Sequence, residues 1–303
     1  MGKVTRRLEG RLKGRFKAST GGQTLIVFTD LDGTLLDHHT YRWTGAQPAL
    51  EALAARRAPM IIVTSKTAAE VWPILRALGR SEPFVVENGG AIIFPSRYFP
   101  FAVRGARTTR RGWRKVELGT PRARLLKALE RAAALARVHL RGFSQMSNGE
   151  VSRVTGLSRA QSLRAQRREC DEPFVILDRD SQSWARLRAR IRRAGFQATR
   201  GSRFFHIHGE NDKGGAVRVV LNLLRRRQLQ ASGGRDNTKI ISVGLGDSSN
   251  DIPLLRAVDV AFVVARPGGR YDAETLAAVP RARRAGGIGP YGWNRAVLSL
   301  VTK

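Results

Sequence analysis

The chain is short of cysteine, of aromatic residues, of acids and of long apolar runs. Its one cysteine in 303 residues, Cys170, excludes an internal disulfide framework and a multi-cysteine zinc site, which makes a reducing compartment, the cytoplasm, the expectation. No stretch of eighteen apolar residues is present to span a bilayer. Aromatics make up 7% of the chain, thin for a single-strand nucleic-acid binder, whose bases need stacking platforms. Acids number 24 against 54 Lys and Arg, so any place where carboxylates cluster asks for an explanation.

What is present begins with the charge. The net charge is +30 and unevenly spread. Residues 1–23 hold Lys3, Arg6, Arg7, Arg11, Lys13, Arg15 and Lys17 against Glu9 and lack the apolar core of a secretory signal. They read as a disordered basic arm, with an organellar presequence as the other reading. Pro95 to Gly209 hold 26 Lys and Arg against 8 acids. Such a balance draws anionic partners, small phosphorylated acids or nucleic acid, although arginine runs such as Arg186 to Arg193 also fit a solvated helix face.

Residues 24–94 alternate strands and helices. Strand 25–29, a helix near 48–57, strand 60–63, a helix over 68–78 and strand 84–86 call for a parallel α/β sheet with right-handed crossovers. Residues 95–209 break that grammar with arginine-studded helices over 122–136, 158–168 and 183–194 and strands at 174–177 and 204–207, which marks an inserted second domain. The alternation resumes with a helix over 215–225 and strand 240–243. A first domain of 24–94 plus 210–303, split by an insertion, predicts a site between the two parts.

The acids cluster at the strand ends. Thr29-Asp30-Leu31-Asp32-Gly33-Thr34-Leu35 follows the apolar run Leu25 to Phe28, and ligands of open α/β sheets bind where strands end. Thr64 closes the second strand, and Asp247 and Asp251 follow the strand at 240–243. Lys213 precedes a helix. Cleaving a phosphate ester needs these types: an attacking carboxylate requires a divalent cation to offset repulsion from the anionic phosphoryl group. Asp30, Asp247 and Asp251 are hard oxygen donors suited to Mg²⁺. Thr64 and Lys213 can bind phosphoryl oxygens, and Asp32 is placed to protonate the leaving oxygen and then to deprotonate water. Each has a plainer reading: an Asp-Gly turn, a helix N-terminus capped by an acid, a surface lysine.

Together these motifs resemble the haloacid dehalogenase superfamily of phosphatases, with a Rossmann-like core and an inserted α/β cap of the C2 type at 95–209. The resemblance implies Asp30 as nucleophile, Asp32 as acid/base, Thr64 and Lys213 as phosphate binders, and Asp30, Asp247, Asp251 and the main-chain carbonyl of Asp32 as metal ligands. Within that superfamily the chain is most similar to the mannosyl-3-phosphoglycerate phosphatases, through TDLDGTLLD at 29–37, TSKT at 64–67, VENGG at 86–90, TGLS at 155–158, Arg168-Glu169 with Asp171-Glu172, and the stretch 244–251. It departs at Cys170, where an aromatic residue is expected. The implied partner is a small phosphorylated sugar acid, the hexose and acceptor being open among mannosyl- and glucosyl-3-phosphoglycerate, sucrose phosphate and other sugar phosphates. Arg168, Glu169 and Arg141 are the expected cap contacts, Arg168 for a carboxylate and Glu169 for hydroxyls. Ser65, Lys66 and Asn88 are the expected contacts at the strand ends, Lys66 and Asn88 with the substrate or with the hinge. His206 and His208 share one face of a strand and could ligate a metal, whereas His38 and His39 are expected in solvent. A nucleic-acid binder built on a phosphatase scaffold is the reading from another class.

Overall fold

Strand β1 (Gln23–Thr29) lies in the interior of the large sheet because both of its faces are apolar. Val27 packs into one core and Ile26 and Phe28 into another on the opposite side, the arrangement a strand covered by helices on both faces requires. The computed structural model describes residues 22–200, 204–233 and 239–301, so the basic arm through residue 21 lies outside them. After β1 come α1 (Gln47–Ala55), β2 (Met60–Val63), α2 (Ala68–Ala77), β3 (Phe84–Val86), β4 (Ala91–Pro95), β5 (Arg107–Thr108) and β6 (Trp113–Glu117). A second unit carries α3 (Arg122–Ala136), β7 (Leu140–Gly142), α4 (Asn148–Thr155), α5 (Arg159–Ala165), β8 (Asp171–Ile176), α6 (Ser183–Arg193), β9 (Gln197–Arg200) and β10 (Phe205–His208). The chain returns with α7 (Lys213–Ala231), β11 (Lys239–Gly246), α8 (Ile252–Arg256), β12 (Val260–Ala265), α9 (Ala273–Ala278), β13 (Arg283–Ile288) and α10 (Gly289–Val301).

The large sheet has the order β13-β12-β11-β1-β2-β3-β4-β6-β5. It is parallel from β13 to β3 and antiparallel beyond. The second unit has a four-stranded sheet, β7-β8-β10-β9, antiparallel throughout. Its core is separate: Leu125, Leu129, Phe174, Leu187, Ile191 and Ile207 pack between the helices and one face of that sheet. In α6, Leu187 and Ile191 point inward while Arg192 and Arg193 are exposed, the solvated arginine face expected of that run.

The structure moves one boundary. The expected insertion began at residue 95, but β6 pairs with β4 from Ala91↔Glu117 to Pro95↔Trp113. The Trp113 ring then meets Trp72 edge-on at 4.6 Å and lies 6.0 Å from Phe84. Aromatic packing against α2 and β3 holds this hairpin to the large sheet, so the second unit starts only after β6.

Candidate active site

Side chains from several strand ends meet where β1, β2 and β11 finish. The loop after β1 is tied by bonds from Leu36 N to Leu31 O and from Gly33 N to Leu36 O. Gly33 has φ +76, and a Cβ there would lie 2.9 Å from Asp247 Oδ2, so a side chain is excluded both by conformation and by the neighbouring carboxylate. Asp247 follows β11, and Asp251 closes the next turn by accepting from Asp247 N at 3.0 Å and Ser248 N at 3.2 Å with Oδ2. Lys213 is the first residue of α7, whose N-cap Asp212 accepts from Gly215 N at 2.6 Å. Its Nζ sits between Asp30 Oδ1 at 2.7 Å and Asp251 Oδ1 at 2.6 Å.

Asp30, Asp247 and Asp251 are all buried, and each offers an oxygen within 4.8 Å of the others. Burial, with Asp251, Asp247 and Asp32 beside it, raises Asp30 well above the usual carboxylate range against the pull of Lys213. Burial and the Asp251 charge push Asp247 up to about 7. Asp247 Oδ2 has no hydrogen-bond partner among the described residues; Arg266 Nε stands 3.6 Å away, beyond bonding reach. Buried like charges with an unsatisfied oxygen describe a place that gains from a small hard dication, and an all-oxygen donor set fits Mg²⁺.

The second aspartate of the pair is placed differently. Asp32 is partly exposed, and its Oδ2 pairs with Lys66 Nζ at 2.8 Å. Its Oδ1 is buried without a hydrogen-bond partner among the described residues. Burial opposes the charge on Lys66, but Asp32 and Glu70 together hold its ammonium above the ordinary lysine value. Thr64 is fully buried; its Oγ1 accepts from Lys66 N at 3.2 Å and its carbonyl from Asn88 N at 3.1 Å.

A cavity separates this floor from the second unit. Asp30, Asp32, Ser65, Lys66, Glu70, Ser248 and Asn250 line it from the large sheet, and Phe143, Thr155, Leu157, Ala165, Arg168, Pro173, Phe204 and His206 from the opposite side. Arg168 reaches across, its Nη1 donating to Ser65 O at 2.9 Å and to Asp171 Oδ2 at 2.9 Å. Of the other residues singled out in sequence, Asn88 is buried and does not line the cavity, its Nδ2 donating to Asp171 Oδ2 at 3.2 Å. Glu169 turns outward to Lys115 of β6, and Arg141 pairs with Glu150 at 2.7 Å; neither lines the cavity. His38 does line it, contrary to the solvated position expected, while His39 is exposed. The histidine pair of β10 is turned to other partners: His206 Nδ1 lies 2.9 Å from Asp171 Oδ2 and His208 Nδ1 lies 3.0 Å from Gly209 O.

The joint between the units was not legible in sequence as such. Glu87 and Asn88 both adopt positive φ, and Gly89 follows at φ +90 with the Asp212 carbonyl where a Cβ would stand. The Glu87 carboxylate accepts from Glu169 N at 2.9 Å and Cys170 N at 2.6 Å. Burial nevertheless raises it to about 7. Cys170 is wedged between Gly90 and Gly119, at 2.7 and 2.6 Å from the positions their Cβ atoms would take, which is the setting of the departure noted at that position. The VENGG pattern was the available signal; what it contacts, eighty residues on, was not.

Paired aspartates on a glycine loop, a lysine at a helix start, an acidic turn after β11 and a roof from an inserted α/β unit together define the haloacid dehalogenase class of phosphatase. The chain belongs to the haloacid dehalogenase-like hydrolases, whose family profile matches residues 27–99, and it is a phosphoric monoester hydrolase. It is 38% identical over 278 residues to a glucosyl-3-phosphoglycerate/mannosyl-3-phosphoglycerate phosphatase of Methanococcoides burtonii, covering 92% of this chain and 97% of that one. A protein of the same description from Persephonella marina is 34% identical over 280 residues, covering 92% and 98%. The sucrose-phosphatase of Synechocystis sp. PCC6803, solved with sucrose and phosphate, shares the fold at a TM-score of 0.59 and 14% identity over 92% of this chain and 98% of that one. A subclass IIB sugar phosphatase of the same superfamily superposes with a TM-score of 0.59 at 15% identity, over 91% and 98%.

Proposed function

We propose that this phosphatase hydrolyses mannosyl-3-phosphoglycerate to mannosylglycerate and phosphate, a step that makes a small organic solute in the cytoplasm. The observation that carries the chemistry is the convergence of Asp30, Asp247 and Asp251 around Lys213 beneath a cavity roofed by Arg168. Asp30 attacks phosphorus, the ester oxygen leaves with a proton from Asp32, and the phosphoryl group rests on Asp30 as an acyl phosphate. Asp32, now a carboxylate, takes a proton from the water that attacks phosphorus and releases phosphate, which restores both residues. Lys66 keeps Asp32 aimed through its 2.8 Å contact, and Lys213 offsets charge on the phosphoryl oxygens. Thr64 supports the same end of the cavity.

Asp30, Asp247 and Asp251, with the carbonyl of Asp32, would hold Mg²⁺, which supplies charge neutralisation and alignment of the phosphoryl oxygens. On this reading Arg168 takes the glycerate carboxylate, with Ser65 and Lys66 beside it. The roles first assigned to Glu169 and Arg141 are not supported, since both side chains are engaged outside the cavity.

Glucosyl-3-phosphoglycerate is a second substrate of the same reading, favoured because both relatives above carry both sugars in their description. Phosphate release from mannosyl- and glucosyl-3-phosphoglycerate, sucrose phosphate and simple hexose phosphates, with and without Mg²⁺, tests it by malachite green. The expected result is Mg²⁺-dependent release that prefers the two glycerate esters. Equal release from simple hexose phosphates would sink the glycerate assignment.

A further inference from the structure

The cavity roof contains a group that the reaction above leaves unused. His206 lies on β10 and is buried at 7% exposure, yet it lines the cavity. Its ring is held from behind: Nδ1 stands 3.1 and 2.9 Å from the two oxygens of Asp171, a carboxylate with no exposure at all. Asp171 Oδ2 also accepts from Arg168 Nη1 and Asn88 Nδ2. Burial would favour a neutral acid at Asp171, but His206 and Arg168 overcome it and hold the group at about 2. Asp171 is therefore an acceptor throughout the neutral range, and Nδ1 must carry the proton it receives. That leaves Nε2 as the ring's free end, with no partner for it among the described residues.

The second half of the arrangement is Arg168. Its side chain is 6% exposed, it lines the same cavity, and its Nε is buried without a hydrogen-bond partner among the described residues. One buried carboxylate thus fixes two polar groups side by side in the roof. An unmet buried donor costs free energy that a bound ligand recovers.

We infer that His206, oriented by Asp171, is a specificity residue that hydrogen-bonds a hydroxyl of the leaving group, next to the carboxylate that Arg168 takes. With Nδ1–H given to Asp171, Nε2 is the ring atom left to bond a ligand hydroxyl. Thr155 and Phe204 complete this part of the wall. The ligand class is a polyhydroxy ester bearing a carboxylate, and a planar aromatic leaving group offers His206 nothing. The inference rests on the phosphatase reading above and refines which end of the substrate the roof contacts.

H206N separates this role from a structural one, because the Asn amide can still donate to Asp171 where Nδ1 stood but has no atom at the Nε2 position. KM and kcat are measured on mannosyl- and glucosyl-3-phosphoglycerate and on p-nitrophenyl phosphate, with thermal melting alongside. H206N is expected to raise KM for the preferred glycerate ester about tenfold, the equivalent of one hydrogen bond. It should leave kcat within about twofold and leave both constants for p-nitrophenyl phosphate unchanged. D171N, which loosens both roof groups, is expected to lose discrimination between the two esters further than H206N does. Equal effects of H206N on the preferred glycerate ester and on p-nitrophenyl phosphate, or no effect on the glycerate ester, overturn the inference. If wild type prefers some other ester, the substrate assignment falls while the same comparison, made on the preferred ester, still decides the role of His206.

Discussion

Among the acids of the site, position in the fold separates residues that look alike in sequence. Asp30 and Asp32 are two positions apart, yet one is buried against Lys213 and two carboxylates and the other is half open and held by Lys66. Replacing Asp30 by Asn keeps the shape but removes the proposed nucleophile, and phosphate release should drop at least about 10³-fold with the melting temperature held or raised. An active D30N enzyme would contradict the phospho-aspartate route. Lys66→Met removes the cation that positions Asp32. Its expected signature is a fall in kcat that is larger for an alkyl ester than for p-nitrophenyl phosphate, because on the proposed mechanism only the alkyl leaving group needs the proton from Asp32. Stopped phosphate-release assays on both esters make the comparison.

At the scale of elements, the strand and helix alternation around the site could be read directly from sequence, since β1, β2, β3 and β11 are short apolar runs that end in polar loops. Local pattern was enough wherever a residue's neighbours in sequence decided its state. It failed where a partner far along the chain decided. The hairpin of β5 and β6 joined the large sheet through Trp113 against Trp72, and the helix expected to reach residue 168 stops at Ala165, freeing Arg168 to cross to Ser65. Glu169 and Arg141 belonged to attractive local motifs, but ion pairs with Lys115 and Glu150 turned their side chains elsewhere. Two glycines carry this element-scale geometry and can be tested. Gly33→Ala puts a methyl group against Asp247 Oδ2 at a positive φ and should weaken Mg²⁺ activation along with some loss of stability, as titration of activity against Mg²⁺ and thermal melting would reveal. Gly89→Ala meets the Asp212 backbone at a positive φ, and chemical denaturation should show a loss of about 2 kcal/mol or more.

For the whole molecule, the large positive charge coexists with a negative centre, and many arginines are structural parts rather than free charge. Arg281 donates to the carbonyls of Leu255, Arg256, Val258 and Asp259, and Arg226 and Arg227 lie over Phe101 and Tyr98 at 4.0 and 4.3 Å. The acids give the molecule its pH response. Asp247 and Glu87 move up from 3.8 and 4.5 to about 7 on folding. Raised carboxyl groups contribute stability that is complete below their unfolded values and is lost as pH rises through the folded ones. Metal-free protein should therefore lose melting temperature between about pH 4 and 7, and Mg²⁺ should restore it most at the upper end. A Mg²⁺ shift that stays constant from pH 5 to 8 would count against this account; calorimetry across that range reads it. The joint at Glu87 to Gly90 has a last consequence, for engineering. Because Cys170 is seated between Gly90 and Gly119, and Glu87 grips the backbone of Glu169 and Cys170, a roof transplanted from a relative to change the substrate would arrive without its socket. A working chimaera has to carry residues 86–90 along with the insertion, as one heritable module in two pieces.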